Sequence, residues 1–186
     1  METKKLIIHH TAVSRDKNNN QFDAVNNYHK GLWNFKSKLG YYIGYHYFIE
    51  PQGELKQARE ERERGAHTVG QNKEIGVCLT GNFDIEKPTE KQIQSLKNLV
   101  KELKTRYDLE IYFHRDFANY KSCPGRNFSD EYIKEISENE LENIPKWAKL
   151  SCEKAKKKGI ITKNFNENIT AYRLATIFNN LGLLDE

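Results

Sequence analysis

At 186 residues, with 37% hydrophobic and 30% charged side chains, the chain can build one well-buried domain and a small appendage. Ten Tyr and nine Phe exclude an intrinsically disordered composition, and no apolar run approaches the ~18 residues of a membrane span. The net charge of +4 permits a polyanionic partner without requiring one.

The opening Met1–Lys5 runs into Leu6-Ile7-Ile8, too short an apolar core for a secretory signal. The expectation is a chain made in the cytoplasm without a signal peptide. Leu6 to His10 reads as a short buried strand, followed by a polar loop through the Asn-rich Asp16–Gln21. Phe22, Val25 and Tyr28 or His29 recur at helical spacing, with Gly31 as the expected stop. Tyr45 to Glu50 reads as an aromatic strand, Pro51-Gln52-Gly53 as a turn and Glu54 to Gln57 as its return. Arg59 to Arg64 reads as a charged loop, and Ile75 to Gly81 as a buried strand with Cys78 in the core. Thr89 and Gln92 form a capping-box pattern ahead of a helix whose face carries Ile93, Leu96, Leu99, Val100, Leu103 and Tyr107. Leu109 to His114 reads as a strand that ends in a histidine, and Tyr132, Ile133 and Ile136 mark a closing helix.

A polar, acidic linker is expected over Ser137–Asn143, before Pro145. Beyond it Trp147, Leu150 and Ala155 suit a helix that stops at Gly159. Thr170 can cap a second, with Leu174, Ile177, Phe178 and Leu181. The expected fold class is α/β, a mixed central β-sheet flanked by α-helices, over residues 1–140, with a small helical module over 145–186.

Two strands end on histidines, at His9-His10 and His114, and Cys123 follows in Cys123-Pro124-Gly125. Imidazole and thiolate are preferred Zn²⁺ ligands, and three of them leave the fourth position of a catalytic site open. Pro124 and Gly125 suit a tight turn that aims the thiolate. Taken singly, though, a strand-terminal histidine is more often packed or exposed than ligating. A lone cysteine is a small apolar side chain. The odd cysteine count, Cys78, Cys123 and Cys152, is not a disulfide framework. Neighbouring strand residues face opposite ways, so only one of His9 and His10 can reach a metal; alternation does not say which.

Four segments carry a resemblance. They are Leu6–Ala12; Gly44–Ile49 with Gly53; Gly65-Ala66-His67 with Asn72 and Ile75–Phe83; and Phe113–Asp116 with Lys121-Ser122-Cys123-Pro124-Gly125. In this order, over roughly residues 6–136, they resemble the type 2 N-acetylmuramoyl-L-alanine amidases, a family that includes the peptidoglycan recognition proteins. The resemblance implies His9, His114 and Cys123 as zinc ligands, with His10 packing nearby or supporting a ligand from behind. It implies Tyr45 and Lys121 as catalytic residues, and His67 and Asn72 as lining the substrate groove. It implies hydrolysis of the amide between the muramic acid lactyl group and L-alanine of peptidoglycan. The setting it implies is a phage or prophage endolysin that acts on the cell wall after release through a holin-like pore. His46 is read as structural or as a support behind the metal ligands, and His29 as surface.

The C-terminal segment resembles half of a surface-layer-homology repeat, which implies cell-wall targeting or self-association; docking as extra core is the equal alternative. Lys156-Lys157-Lys158 suits an anionic wall polymer or simply a solvated helix end. Two other readings of the catalytic segment stand: a peptidoglycan-binding protein that does not cut, and a cytosolic amidase that recycles muropeptides. Cys123 favours an enzyme over the first. No clustered basic recognition helix supports a nucleic-acid partner, and no membrane partner is expected.

Overall fold

The computed structural model describes residues 2–16, 20–137, 146–158, 169–180 and 182–183. Contacts divide the chain into two compact units, Met1–Ser137 and Glu138–Glu186.

The first unit is built on one five-stranded sheet in the order β3-β2-β4-β1-β5. Strand β1 (Glu2–His10) lies between β4 (Ile75–Leu79) and β5 (Tyr107–Phe113), parallel to both. β2 (Tyr47–Ile49) runs parallel to β4 and turns back into the antiparallel β3 (Leu55–Gln57). The sheet is therefore mixed, with a parallel centre. Helices α1 (Phe22–Trp33), α2 (Glu90–Leu103) and α3 (Asp130–Ser137) complete the unit.

Alternation along the strands splits the sheet into two faces. Leu6 and Ile8 of β1, Ile75, Val77 and Leu79 of β4, and Tyr47 and Ile49 of β2 pack with Ile93, Leu96, Leu99, Val100 and Leu103 of α2. On the other face Phe48 and Cys78 meet Phe22 of α1 and Ile43. The capping box of α2 is complete: Thr89 Oγ1 accepts from the Gln92 N–H, and Gln92 Oε1 accepts from the Thr89 N–H.

Several boundaries differ from the sequence reading. β1 begins at Glu2 rather than Leu6, because Glu2 to Lys5 pair with Tyr107 to Glu110. For the same reason Tyr107 opens β5 instead of ending the α2 stripe. α1 runs through Gly31 and ends at Asn34, which takes the left-handed conformation (φ 47°) and donates its N–H to the Lys30 carbonyl. Tyr45 and His46 precede β2, and His114 begins a 3-10 turn rather than ending a strand. Ser137 closes α3 rather than opening a linker. The rest of that linker, the stop at Gly159 and Leu181 lie outside the described residues.

In the second unit, α4 (Lys146–Lys157) and α5 (Ile169–Asn180) pack on one another. The buried stripe is small: Ala148, Cys152 and Ala155 on α4, and Ala175 on α5. Trp147, Leu150, Leu174 and Ile177, expected on the packing face, are about half exposed or more. Alanines let the two helices approach closely, and the larger residues turn outward. α5 begins one residue before Thr170, so Thr170 is not its cap.

Candidate metal centre

The chain crosses the sheet in opposite directions after β1 and β4, to β2 on one side and to β5 on the other. Such a reversal opens a crevice at the carboxyl ends of the central parallel strands. His9 and His10 stand at that end of β1, level with Cys78 and Leu79 of β4.

The two histidines part there. His9 is 1% exposed; its Nδ1 lies 3.7 Å from Cys123 Sγ and its ring centroid 4.6 Å from that of His114. His10 turns to the opposite face, where its Nδ1 accepts the Phe83 N–H at 3.0 Å and its ring packs on Phe83.

His114 and Cys123 are held by a shared set of clamps. Asp116 accepts the Phe113 N–H at 2.7 Å, which sets the turn that begins with His114. Arg115 donates its backbone N–H to the Cys123 carbonyl, and its guanidinium to the Gly125 and Phe128 carbonyls. From the other side Asp84 accepts from Ser122 Oγ at 2.7 Å and from the Arg126 N–H at 3.0 Å. Gly125 sits at φ 112°, and a Cβ there would fall 2.3 Å from the Phe83 carbonyl carbon, so no other residue fits the turn.

One donor atom each from His9, His114 and Cys123 lies within 4.8 Å of the others. Two imidazoles and a thiol that converge in this way suit a tetrahedral Zn²⁺ with one position open. Burial holds both rings neutral, which ligation requires: His9 lies well below the ordinary histidine range, and His114 falls to about 4. The ring charges and the Lys121 ammonium add to the effect. Burial also lifts the Cys123 thiol to about 12, the opposite of what a bound cation does to a coordinating thiol.

Tyr45 and Lys121 border the same point. The Tyr45 ring is 5.0 Å from that of His9 and within electrostatic reach of Cys78 and Cys123, and burial raises its phenol. Lys121 is exposed on the turn before Cys123, and its positive charge depresses both His9 and His114.

His67 and Asn72, expected to line a groove, turn polar atoms inward. His67 Nε2 meets the Glu74 carbonyl at 3.1 Å and its Nδ1 meets His9 Nε2 at 3.2 Å. Asn72 Oδ1 accepts the backbone N–H groups of His67 and Thr68.

His29, read as surface, is buried: its Nδ1 accepts the Gly44 N–H next to Tyr45. Its place seven residues after Phe22 on the inner face of α1 was the available signal. Arg59, read as part of an exposed loop, is fully buried and donates to the Ile43 carbonyl at 2.6 Å while covering the Phe35 ring. Nothing in the sequence separates it from Arg62 or Arg64. His46, also buried, accepts the Gly76 N–H on Nδ1 and meets the Glu63 carbonyl with Nε2.

Residues 1–126 match the N-acetylmuramoyl-L-alanine amidase family. The endolysin of Klebsiella phage KP32 is 35% identical over 89 residues, which cover 44% of this chain and 58% of that protein. The chain thus spans little more than half the length of this relative. Peptidoglycan-recognition protein SC2 of Drosophila melanogaster is 29% identical over 135 residues, 67% of this chain and 70% of that one. Among solved structures, the N-acetylmuramoyl-L-alanine amidase LysC from Clostridium intestinale URNW superposes with a TM-score of 0.60 at 29% identity, covering 73% of this chain and 85% of that one.

Proposed function

Because the chain belongs to the N-acetylmuramoyl-L-alanine amidase family, we propose that it is a zinc-dependent amidase that hydrolyses the bond between the muramic acid lactyl group and L-alanine in peptidoglycan. The observation that supports this most is the convergence of one donor atom each from His9, His114 and Cys123. A recognition protein that only binds has no use for a complete donor set of this kind.

His9, His114 and Cys123 would hold the ion. Bound there, zinc supplies Lewis-acid charge and a water acidified to a pKa of about 7. The chain's own residues do the rest. The Lys121 ammonium, whose charge acts on both His9 and His114, would stabilise negative charge developing on the lactyl carbonyl oxygen. Tyr45, beside His9, can orient the attacking water or deliver a proton to the departing alanine amine. His9 and His114 are buried and Cys123 is partly exposed, while Lys121 stands open to solvent.

The setting we propose is a phage or prophage endolysin, which reaches the wall after release through a membrane pore. Among the described residues no helix is long and apolar enough to cross a membrane. The C-terminal helical unit is assigned to wall targeting or self-association. Truncation before residue 145 should then spare cleavage of small soluble muropeptides; loss of folding would make the unit part of the core instead.

The test is digestion of purified peptidoglycan with and without a zinc chelator, assaying new alanine amino termini and new reducing sugar ends in parallel. New amines without reducing ends, abolished by chelation and restored by zinc, support the amidase. Tight binding with no new amines across several wall types overturns it in favour of a recognition module.

A further inference from the structure

We propose that His67 is a positioning residue that fixes the ring of His9 and thereby decides which His9 nitrogen faces the metal. The proposal rests on the zinc reading above and assigns His67 a place behind the centre rather than in a substrate groove.

The argument is one of hydrogen-bond accounting. The Glu74 carbonyl can only accept, so His67 Nε2, 3.1 Å away, carries its proton. In a neutral ring Nδ1 is then a lone pair. Two groups can donate to it: His9 Nε2 at 3.2 Å and the Thr68 hydroxyl at 3.1 Å. If His9 donates directly, His9 is protonated on Nε2. If the Thr68 hydroxyl donates instead, its oxygen accepts from His9 Nε2 at 3.3 Å, and His9 is again protonated on Nε2. Either arrangement leaves the Nδ1 lone pair of His9 free. That is the atom 3.7 Å from Cys123 Sγ. The opposite His9 tautomer would set two lone pairs, His67 Nδ1 and His9 Nε2, against the single Thr68 hydroxyl proton within reach of both, so one of them would go unmatched inside the protein, where an unmatched polar group is costly.

The slot around His67 is built for the ring. A Cβ on Gly76 would lie 2.8 Å from its Cγ and Cδ2, and one on Gly65 would lie 2.7 Å from its Cδ2. Two backbone segments therefore flank the imidazole, and the Asn72 side chain pins the backbone that carries it through the His67 and Thr68 N–H groups. With both nitrogens engaged inside the protein, the ring has no polar atom left for substrate. Outer hydrogen bonds of this kind orient ligating histidines, and their loss typically weakens metal affinity 10- to 100-fold.

The experiment compares the full chain with His67→Leu and His67→Asn. Zinc affinity is measured by competition with a chelator, and imidazole tautomers by ¹⁵N NMR of zinc-free and zinc-loaded wild-type protein. The expected results are a roughly 10- to 100-fold loss of zinc affinity in His67→Leu, substantial rescue in His67→Asn (whose side-chain oxygen can sit where Nδ1 accepts), and a His9 ring protonated on Nε2. Zinc affinity within about twofold of wild type in a folded His67→Leu, with KM raised instead, would overturn the proposal and return His67 to the groove. So would a His9 ring protonated on Nδ1. The tautomer needs no variant and no metal, so it decides the matter even if His67→Leu fails to fold. A wild-type chain that takes up no zinc would sink the amidase reading separately, leaving the zinc-free His9 tautomer to judge the positioning role.

Discussion

The two faces of the sheet do different work with the same strands. On the α2 face β1 presents Leu6 and Ile8, which join a cluster with Ile75, Val77, Leu79, Leu96, Leu99, Phe113 and Phe128, all at most 1% exposed. On the α1 face β1 presents Ile7 and then His9, and the neighbourhood becomes a lattice of rings and hydrogen bonds: His29, Tyr45, His46 and His67. One face is held by area removed from water, the other by matched donors and acceptors. A strand can therefore anchor a core and aim a ligand at once, because alternate residues answer to different neighbours. The comparison also separates stability from chemistry, and mutations should respect the division.

The sharpest break is Cys123→Ser. A serine hydroxyl is a far poorer zinc ligand than a thiolate, so zinc retention and amidase activity should fall together, to near the detection limit. Metal analysis of the purified variant, alongside the alanine-amine assay, checks both. Zinc lost with activity intact would remove the metal from the reaction.

Next in size is Lys121→Ala. Lys121 is exposed on the turn before Cys123, so the variant should keep its zinc and its melting temperature. Turnover should drop by about 10²–10³ if the ammonium serves as an oxyanion donor. Steady-state kinetics on a soluble muropeptide read this directly, and normal turnover would exclude Lys121 from the mechanism.

The α2 face should show the converse. Leu96 is fully buried in the core cluster that holds Leu6, Ile8, Val77 and Leu79. Leu96→Ala should cost about 2–5 kcal/mol of stability through lost burial and the cavity left behind. Turnover per folded molecule at a temperature below the new transition should not change. If it does, the two faces are coupled more tightly than their contacts suggest.

Much of this division was readable from residue order, and the misses share physical causes. Four strands follow from apolar or aromatic runs, β3 from the turn before it, and the α2 capping box from a local side-chain pattern, none of which needs tertiary information. The outer ends, Glu2–Lys5 of β1 and Tyr107 and Asp108 of β5, lie outside the apolar runs because they pair through backbone groups at positions whose side chains are largely polar; hydropathy does not mark such pairing. That alternation puts His9 and His10 on opposite faces is likewise local. Which face holds Cys123 depends on where a loop more than a hundred residues later is clamped by Asp84 and Arg115. Arg59 leaves no such signal for the same reason: its partners are backbone carbonyls of distant loops, and backbone groups leave no trace in side-chain identity. The stripe of α4 was misjudged because both sides of that helix carry apolar residues, and the smaller set won the packing.

The gentlest test uses pH on metal-free protein. Burial and the neighbouring Arg59 charge lower His29 to about 4, from an ordinary value of 6.5. The unfolded chain therefore binds a proton at higher pH than the folded one. By linkage, stability is fully present above about pH 6.5 and is lost as pH falls toward 4, where the folded ring also charges. One such group contributes a slope of at most about 1.4 kcal/mol per pH unit. His10, also lowered to about 4, acts the same way from the α2 face. His29→Gln can still accept the Gly44 N–H but cannot titrate, so it should flatten the acid limb of the stability curve without moving its neutral plateau far. Denaturant unfolding at pH 7 and pH 5 measures the difference. An unchanged slope would mean that the ring charges without cost, and that the Gly44 contact does not hold the loop carrying Tyr45.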